Sequence, residues 1–259
     1  MYAWGVHVFA SSLIERKARG EKLAMLTAYD YPTARWLDDA GVDMILVGDS
    51  LGMVVLGLPD TTGVTMNMML HHAAAVRRGV TRASVVVDLP AGCYLTPDMA
   101  LHNARRLVEA GADAVKLEGG VKMIRQVRAI TDAGLSFVGH IGMLPQSVLH
   151  EGAYKKKGKT DEEAARLLDD ALALEEAGAA TIVLESMVPE VAGRISQALK
   201  IPTIGIGAGS ACDGQVLVTP DLIGSFPWFK PPFAQARANV AMEVTRAVRE
   251  YVTDVKAAQ

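Results

Sequence analysis

The chain has 259 residues, half of them hydrophobic, and a formal net charge of −3. That length fits one large core of the size of a (β/α)8 barrel, and the slight acidity excludes a general nucleic-acid binder. Two cysteines, Cys93 and Cys212, make no disulfide framework or metal-site spacing, so the cytoplasm is the expected compartment; no signal-peptide pattern opens the chain, and no apolar run reaches the ~18 residues a membrane span needs.

A lead-in helix is expected within residues 1–20, with its core at 11–20. The first strand is placed at 23–30 and followed by a helix through Ala34 to Ala40, the second strand at 43–49. A loop, LGMVVLGLPDTTGVT, leads to a helix at 66–78 capped by Thr65. The third strand, 83–88, precedes a helix that starts at Thr96-Pro97-Asp98, a cap followed by proline at the first helical position. The fourth strand is placed at 114–118 with a helix over 120–133, and the fifth at 136–140. After a long loop, Thr160 to Glu163 read as a capping box for a helix to Ala177. The sixth strand is placed at 181–185 with a helix over 188–199, and the seventh at 201–207. QVLVT at 215–219 is the candidate eighth strand, and a closing helix spans 233–254. Gly41, Gly111, Gly134 and Gly178 fit helix C-caps. Short apolar runs rich in β-branched residues, alternating with helices, build a parallel sheet buried on both faces. With no linker or composition break, the expectation is one α/β domain over 1–259, a (β/α)8 TIM barrel with an additional N-terminal helix.

Polar residues end these runs: Asp30, Asp49, Asp88, Lys116 with Glu118, His140 and Glu185. In a parallel barrel the carboxyl ends of the strands carry the chemistry. Each acid alone could merely cap the next helix. Asp49, Asp88 and Glu118 on three consecutive strands point instead to a shared cation, because carboxylates brought together disfavour one another's ionisation; hard oxygen ligands with room for water suit Mg2+. Lys116 and Glu118 share one face of a strand. A lysine directed into a barrel needs a charged partner, either a neighbouring acid or a substrate carboxylate or oxyanion. His140 is either structural or a site residue, and Asp30 either a cap or an acid. Glu185, across the rim, is the best separate general acid/base. The glycine-dense run 205–214 fits tight backbone packing better than a cofactor motif, and Lys155, Lys156, Lys157 and Lys159 are either solvated surface or a guide for an anion.

Read together, LTAYDYPTA at 26–34, ILVGDSLGMVVLG at 45–57, HAAAVRRG at 72–79, VDLPAGCY at 87–94, AVKLEGG at 114–120, GHIGMLPQS at 139–147, LALEEAGA at 172–179 and IPTIGIGAGSACDGQVLV at 201–218 resemble the ketopantoate hydroxymethyltransferase family, within the phosphoenolpyruvate mutase/isocitrate lyase superfamily. The resemblance implies transfer of a hydroxymethyl group from 5,10-methylenetetrahydrofolate to 3-methyl-2-oxobutanoate through a Mg2+-stabilised enolate, giving 2-dehydropantoate for pantothenate biosynthesis. It implies Asp49 and Asp88 as metal ligands, with Glu118 at the metal directly or through water. It implies Ser50, Asp88, Lys116 and His140 as substrate contacts, Glu185 as the catalytic acid/base, and homo-oligomers, typically decamers.

Departures from the family pattern fall at 61–65 (Thr-Thr-Gly-Val-Thr for a proline-containing turn), at Ala91-Gly92-Cys93, at Glu151-Gly152-Ala153-Tyr154 in the loop after the fifth strand, and near 225–233. They touch the folate surface and loop closure, not the metal or acid/base positions. Two other readings stand beside the transferase. One is a divergent Mg2+-dependent lyase acting on another 2-oxo acid; it is disfavoured because neither cysteine stands in the Lys-Cys-Gly motif of the superfamily lyases. The other is a non-catalytic homologue, disfavoured because every acid and Lys116 are present.

Overall fold

The computed structural model describes residues 3–147 and 155–258, with side chains from residue 9 onward. His150 and the divergent stretch Glu151-Gly152-Ala153-Tyr154 lie outside the described residues. The chain divides into two compact units, Met1–Val216 and Leu217–Gln259.

Eight strands form a closed parallel barrel in sequential order, β1 (Leu23–Thr27), β2 (Met44–Val47), β3 (Ser84–Asp88), β4 (Ala114–Lys116), β5 (Phe137–Gly142), β6 (Thr181–Glu185), β7 (Thr203–Ile206) and β8 (Gly214–Leu217). The expected TIM barrel is the fold found, and its eighth strand overlaps the expected QVLVT stretch, beginning one residue and ending two residues earlier. Among the described residues the α-helices in chain order are α1 (Ala3–Ala18), α2 (Tyr31–Asp39), α3 (Leu51–Val54), α4 (Met66–Gly79), α5 (Pro97–Glu109), α6 (Ile124–Thr131), α7 (Asp161–Glu176), α8 (Pro189–Ala198), α9 (Thr219–Ile223) and α10 (Val240–Ala257).

Strand side chains alternate between two separate cores, as the two-residue period demands. Met25, Met44, Leu46, Val86, Ala114, Val138, Val183, Ile204 and Val216 fill the barrel interior. Ile45, Val47, Val85, Val87, Val115, Phe137, Ile141, Ile182 and Leu184 face outward and pack with helical residues such as Met69, Val76, Leu107, Ile130 and Leu174. Phe9 and Leu13 of α1 join the inner cluster. Arg16 of the same helix pairs with Asp43 at 2.7 Å, and Lys17 donates to the Ser196 and Ile201 carbonyls. Asp43 and Ile201 precede β2 and β7, so α1 covers the amino-terminal mouth and leaves the opposite rim for chemistry.

Several boundaries differ from expectation for local reasons. β1 stops at Thr27 because Asp30 accepts from the Thr33 N–H at 2.8 Å and starts α2, with Pro32 in its first turn; this settles Asp30 as a cap. β4 ends at Lys116, and the Gly119 N–H bonds the His140 carbonyl at 2.9 Å. The LGMVV stretch after β2, expected as loop, opens with one helical turn, α3. Thr65 and Thr96 cap α4 and α5 as expected. Thr160 caps α7, but the Glu163 carboxylate bonds the Gly158 and Lys159 N–H groups instead of closing the expected box. In the second unit the closing helix begins at Val240, not 233, because Asn239 caps it by accepting from the Met242 N–H, and residues 233–239 are turn and irregular backbone.

Candidate active site

The interior alternation continues into the rim. Ser84, Val86 and Asp88 share one face of β3, and Ala114 and Lys116 share one face of β4, so Asp88 and Lys116 stand where apolar residues stand one layer below. The strand register places them side by side, Asp88 against Lys116. His140 continues the Val138 face of β5, and Glu185 the Val183 face of β6, with Glu185 opposite Gly142. Asp49 and Ser50 follow β2. Asp49, Asp88, Lys116, Glu118 and His140 are all at least 95% buried.

Gly142 takes φ +103°, and a Cβ there would lie 2.3 Å from the Glu185 carbonyl oxygen. Only glycine allows β5 to run this close to the end of β6. Ser186, immediately after Glu185, is the one non-glycine residue with positive φ among those described, at 49°. Its backbone is pinned by Ser186 N–H to Ile206 O and Lys157 N–H to Ser186 O, both 2.8 Å. Strained backbone of this kind, held by its neighbours, recurs beside functional side chains.

Lys116 is the electrostatic centre. Its Nζ lies 3.1 Å from Asp88 Oδ1 and 3.2 Å from His140 Nδ1. Burial by itself pushes the ammonium pKa down, but the charges of Asp88, Asp49 and Glu118 raise it overall, so Lys116 stays charged. An ammonium only donates, so His140 Nδ1 accepts and the ring proton sits on Nε2. Burial, and then the Lys116 charge, drive the His140 pKa well below its ordinary value, which keeps the ring neutral. His140 Nε2 lies 3.1 Å from Glu185 Oε2, yet has no aligned hydrogen-bond partner among the described residues; the two side chains are in reach but rotated off the bonding direction. Glu185 itself is pushed up to about 7 by burial, against a downward pull from Lys116.

Burial and mutual repulsion act on the carboxylates together. Asp49 is pushed up to about 7 by burial and then by the Asp88 charge. Glu118 is raised well above the usual carboxylate range by burial and then by Asp49. Among the described residues no aligned donor reaches the buried Asp88 Oδ1, although Lys116 is close, while Asp88 Oδ2 accepts the Asp49 N–H at 3.1 Å. Among the described residues no three His, Cys, Asp or Glu groups converge into a ready cage. Two adjacent carboxylates with the remaining positions open is the donor set Mg2+ favours, since it retains waters and takes further oxygens from its substrate. Asp49 and Asp88 therefore fit such an ion. Glu118 Oε2 accepts the Gln146 N–H at 3.1 Å and its Oε1 lies 3.6 Å from His140 Nδ1, which leaves this carboxylate lone pairs of its own.

Ser50 pairs with the Tyr29 hydroxyl at 2.8 Å, and burial raises the Tyr29 pKa, so that group remains a phenol. Sequence reasoning missed Tyr29, Tyr94 and Gln146. Gln146 donates to Asp49 Oδ2 at 2.7 Å and accepts from the Tyr94 hydroxyl at 2.5 Å. Tyr29 and Tyr94 lie in loops and Gln146 in a single 3-10 turn, Pro145–Ser147, where no strand period assigns a face; that polar turn after an apolar run was the only available signal.

A family model described as ketopantoate hydroxymethyltransferase matches residues 7–259. The chain is 50% identical over 248 residues to 3-methyl-2-oxobutanoate hydroxymethyltransferase of Ignicoccus hospitalis, covering 95% of this chain and 94% of that one. To the enzyme of the same name from Pyrobaculum aerophilum it is 54% identical over 236 residues, covering 90% and 89%. Two solved structures share the fold at low identity. They are phosphoenolpyruvate phosphomutase from Streptomyces platensis (TM-score 0.66, 16% identity, 100% and 89% covered) and 2,3-dimethylmalate lyase, a PEP mutase/isocitrate lyase superfamily member (TM-score 0.61, 20% identity, 96% and 87% covered).

Proposed function

The chain belongs to the ketopantoate hydroxymethyltransferase family, and from that premise we propose that it transfers a hydroxymethyl group from 5,10-methylenetetrahydrofolate to 3-methyl-2-oxobutanoate, giving 2-dehydropantoate for pantothenate synthesis. The observation that carries this reading is the buried array in which Glu185, with a pKa near 7, faces the Lys116–His140–Asp88 cluster across the rim.

Asp49 and Asp88 would hold Mg2+, with Glu118 contributing through water. When bound, the ion supplies Lewis acidity toward the keto and carboxylate oxygens of a 2-oxo acid. Glu185 is the base: a carboxylate with a pKa near the working pH combines a populated basic form with useful basicity. It takes the proton from the carbon beside the keto group, and that electron pair forms the new bond to the one-carbon unit; both carbon–nitrogen bonds of that unit break with their electrons on the folate nitrogens, which take up the proton held by Glu185 and one proton of a water, and the same water supplies the hydroxyl oxygen. Lys116 offsets the negative charge that develops on substrate oxygens. It can do so because it carries three N–H groups, one of which His140 accepts, while Asp88 holds it as an ion pair at 3.1 Å. His140, neutral and protonated at Nε2, donates toward Glu185 or a substrate oxygen and adds no charge. Ser50, fixed by Tyr29, binds the substrate carboxylate.

We also read the chain as a homo-oligomer, a decamer by family resemblance. In support, α10 exposes Val244, Val248, Tyr251, Val252 and Val255 at helical spacing. Among the described residues no helix is long and apolar enough to cross a membrane, and the cytoplasm is the compartment in which we place it.

The test is proton exchange. Protein, Mg2+ and 3-methyl-2-oxobutanoate in deuterated water should lose the carbon-3 proton signal by NMR without folate present. Adding 5,10-methylenetetrahydrofolate should then yield 2-dehydropantoate. Exchange without product would leave the enolate chemistry and remove the folate donor; no exchange with any divalent metal would remove both.

A further inference from the structure

Gln146 takes part in none of the steps above, yet it joins the loops that follow four consecutive strands. Its amide nitrogen donates to Asp49 Oδ2 at 2.7 Å and to the Leu89 carbonyl at 3.0 Å. Its amide oxygen accepts from the Tyr94 hydroxyl at 2.5 Å, and its backbone N–H donates to Glu118 Oε2 at 3.1 Å. A carboxylate and a carbonyl can only accept, so the orientation of the amide is unambiguous and both of its hydrogens are used. Tyr94 must then be the donor to Oε1. Burial, followed by the charge of Glu118, raises its pKa, so that proton is retained.

The chemistry of this contact is specific. Glutamine adds no charge to a rim already crowded with carboxylates. A lysine in its place would neutralise Asp49 and repel a cation; a glutamate would add further repulsion. The amide occupies one lone pair of roughly four on the Asp49 carboxylate and leaves the rest available to an ion. Groups that hydrogen-bond a metal ligand fix its orientation and raise its affinity for the metal.

We propose that Gln146, held in place by Tyr94, is a positioning residue for cation binding: it fixes the Asp49 carboxylate so that it meets the same ion as Asp88, and it ties that arrangement to Glu118. The inference rests on the assignment of Asp49 and Asp88 as cation ligands.

The test is direct binding, with no turnover. Mn2+ is titrated into substrate-free protein and free ion is followed by electron paramagnetic resonance, with thermal melting as a check on folding. Gln146→Ala should weaken Mn2+ binding ~10–100-fold, the usual scale for such groups. Tyr94→Phe, which removes a single oxygen, should weaken it less, and should have no further effect in the Gln146→Ala background, since the two act through one bond. Unchanged or tighter binding by Gln146→Ala would overturn the proposal, as would simple addition of the two effects. Asp88→Asn separates the layers of the argument. If it fails to bind while Gln146→Ala binds normally, only the Gln146 role falls. If it binds like the unaltered protein, the cation site falls and the Gln146 role with it.

Discussion

His140 turns one ring nitrogen to Lys116 at 3.2 Å and the other to within 3.1 Å of Glu185. The ring thus links Lys116 to Glu185, the residues to which we assign charge compensation and proton transfer, and it can do so only while neutral. A protonated His140 would have no lone pair for Lys116 and would place two cations in contact. Burial, reinforced by Lys116, keeps the ring neutral.

Glu185 should therefore set the pH profile. Its carboxyl is raised from an ordinary 4.5 to about 7, chiefly by burial. A base must be deprotonated, so kcat/KM should rise with pH and level off above about 7. Glu185→Gln should bind 3-methyl-2-oxobutanoate normally by calorimetry and turn over at least ~100-fold more slowly, the scale of acid/base loss. Near-normal turnover in that variant would remove Glu185 from its role. The same raised pKa implies a stability cost. Between the unfolded and folded values the native state binds more protons, so the contribution of Glu185 to stability falls as pH rises toward 7 and is least favourable above it. Glu185→Gln should accordingly melt higher than the unaltered protein at pH 8, and not at pH 4.

Asp88 is assigned two roles, as the ion-pair partner whose Oδ1 lies 3.1 Å from Lys116 Nζ and as a proposed cation ligand. Asp88→Ala should lose metal binding and activity together. It should also lose on the order of 3–5 kcal/mol of stability, because the buried ammonium is left without its closest partner. Metal titration and chemical denaturation read these separately. Normal Mg2+ dependence in the variant would overturn the ligand assignment.

The rim residues on strands were legible because the strand period carried them. Once Val86 and Ala114 were interior, Asp88 and Lys116 had to be, and adjacent strands in register had to pair them. Asp49, Glu118 and Glu185 followed from the same run-then-acid pattern at strand ends. What the pattern could not give was the wiring between loops. Gln146 reaches Asp49 across 97 positions of sequence, and Glu118, expected beside the metal, is engaged by the Gln146 N–H through a turn whose conformation no periodicity encodes. Boundaries failed where a single cap decided them: Asp30 ended the first strand early, and Asn239 started the last helix seven residues late. The resemblance supplied roles for the acids; it did not supply Tyr29, Tyr94 or Gln146.

Asp38 offers a stability test remote from the chemistry. Its buried carboxylate accepts four hydrogen bonds, from the Thr81, Arg82 and Ala83 N–H groups and the Thr81 hydroxyl, at 2.7–3.0 Å. These tie α2 to the start of β3. Burial by itself would raise its pKa, but the N–H groups of Ala83 and Thr81 and the Thr81 hydroxyl outweigh it and hold the carboxyl well below the usual range. A lowered folded pKa stabilises above the unfolded value, near 4, and that stability is lost as pH falls through the folded value. Asp38→Ala should cost on the order of 2–4 kcal/mol at pH 7, and its stability should fall less steeply than that of the unaltered protein below pH 4. Denaturation midpoints across pH 2–7 measure both. Equal acid limbs for the two proteins would show that Asp38 is not the group responsible.

Gly142 and Gly134 separate backbone strain from the shaping of the site. Both have positive φ, 103° and 75°, but a Cβ at Gly134 meets nothing within 4 Å, whereas one at Gly142 meets the Glu185 carbonyl at 2.3 Å. Gly134→Ala should cost only the left-handed backbone penalty, about 1–2 kcal/mol, with kcat unchanged. Gly142→Ala carries that penalty and must also push β5 from β6 at Glu185, the proposed base. It should lose more stability than Gly134→Ala and, in the fraction that folds, show a kcat reduced by at least ~10-fold, since small misplacements of a reacting group are costly. The measurement is kcat per folded molecule, with active protein counted by calorimetric titration of the 2-oxo acid. If the two alanine variants match in kcat, the close approach of β5 to β6 serves packing and not the placement of Glu185.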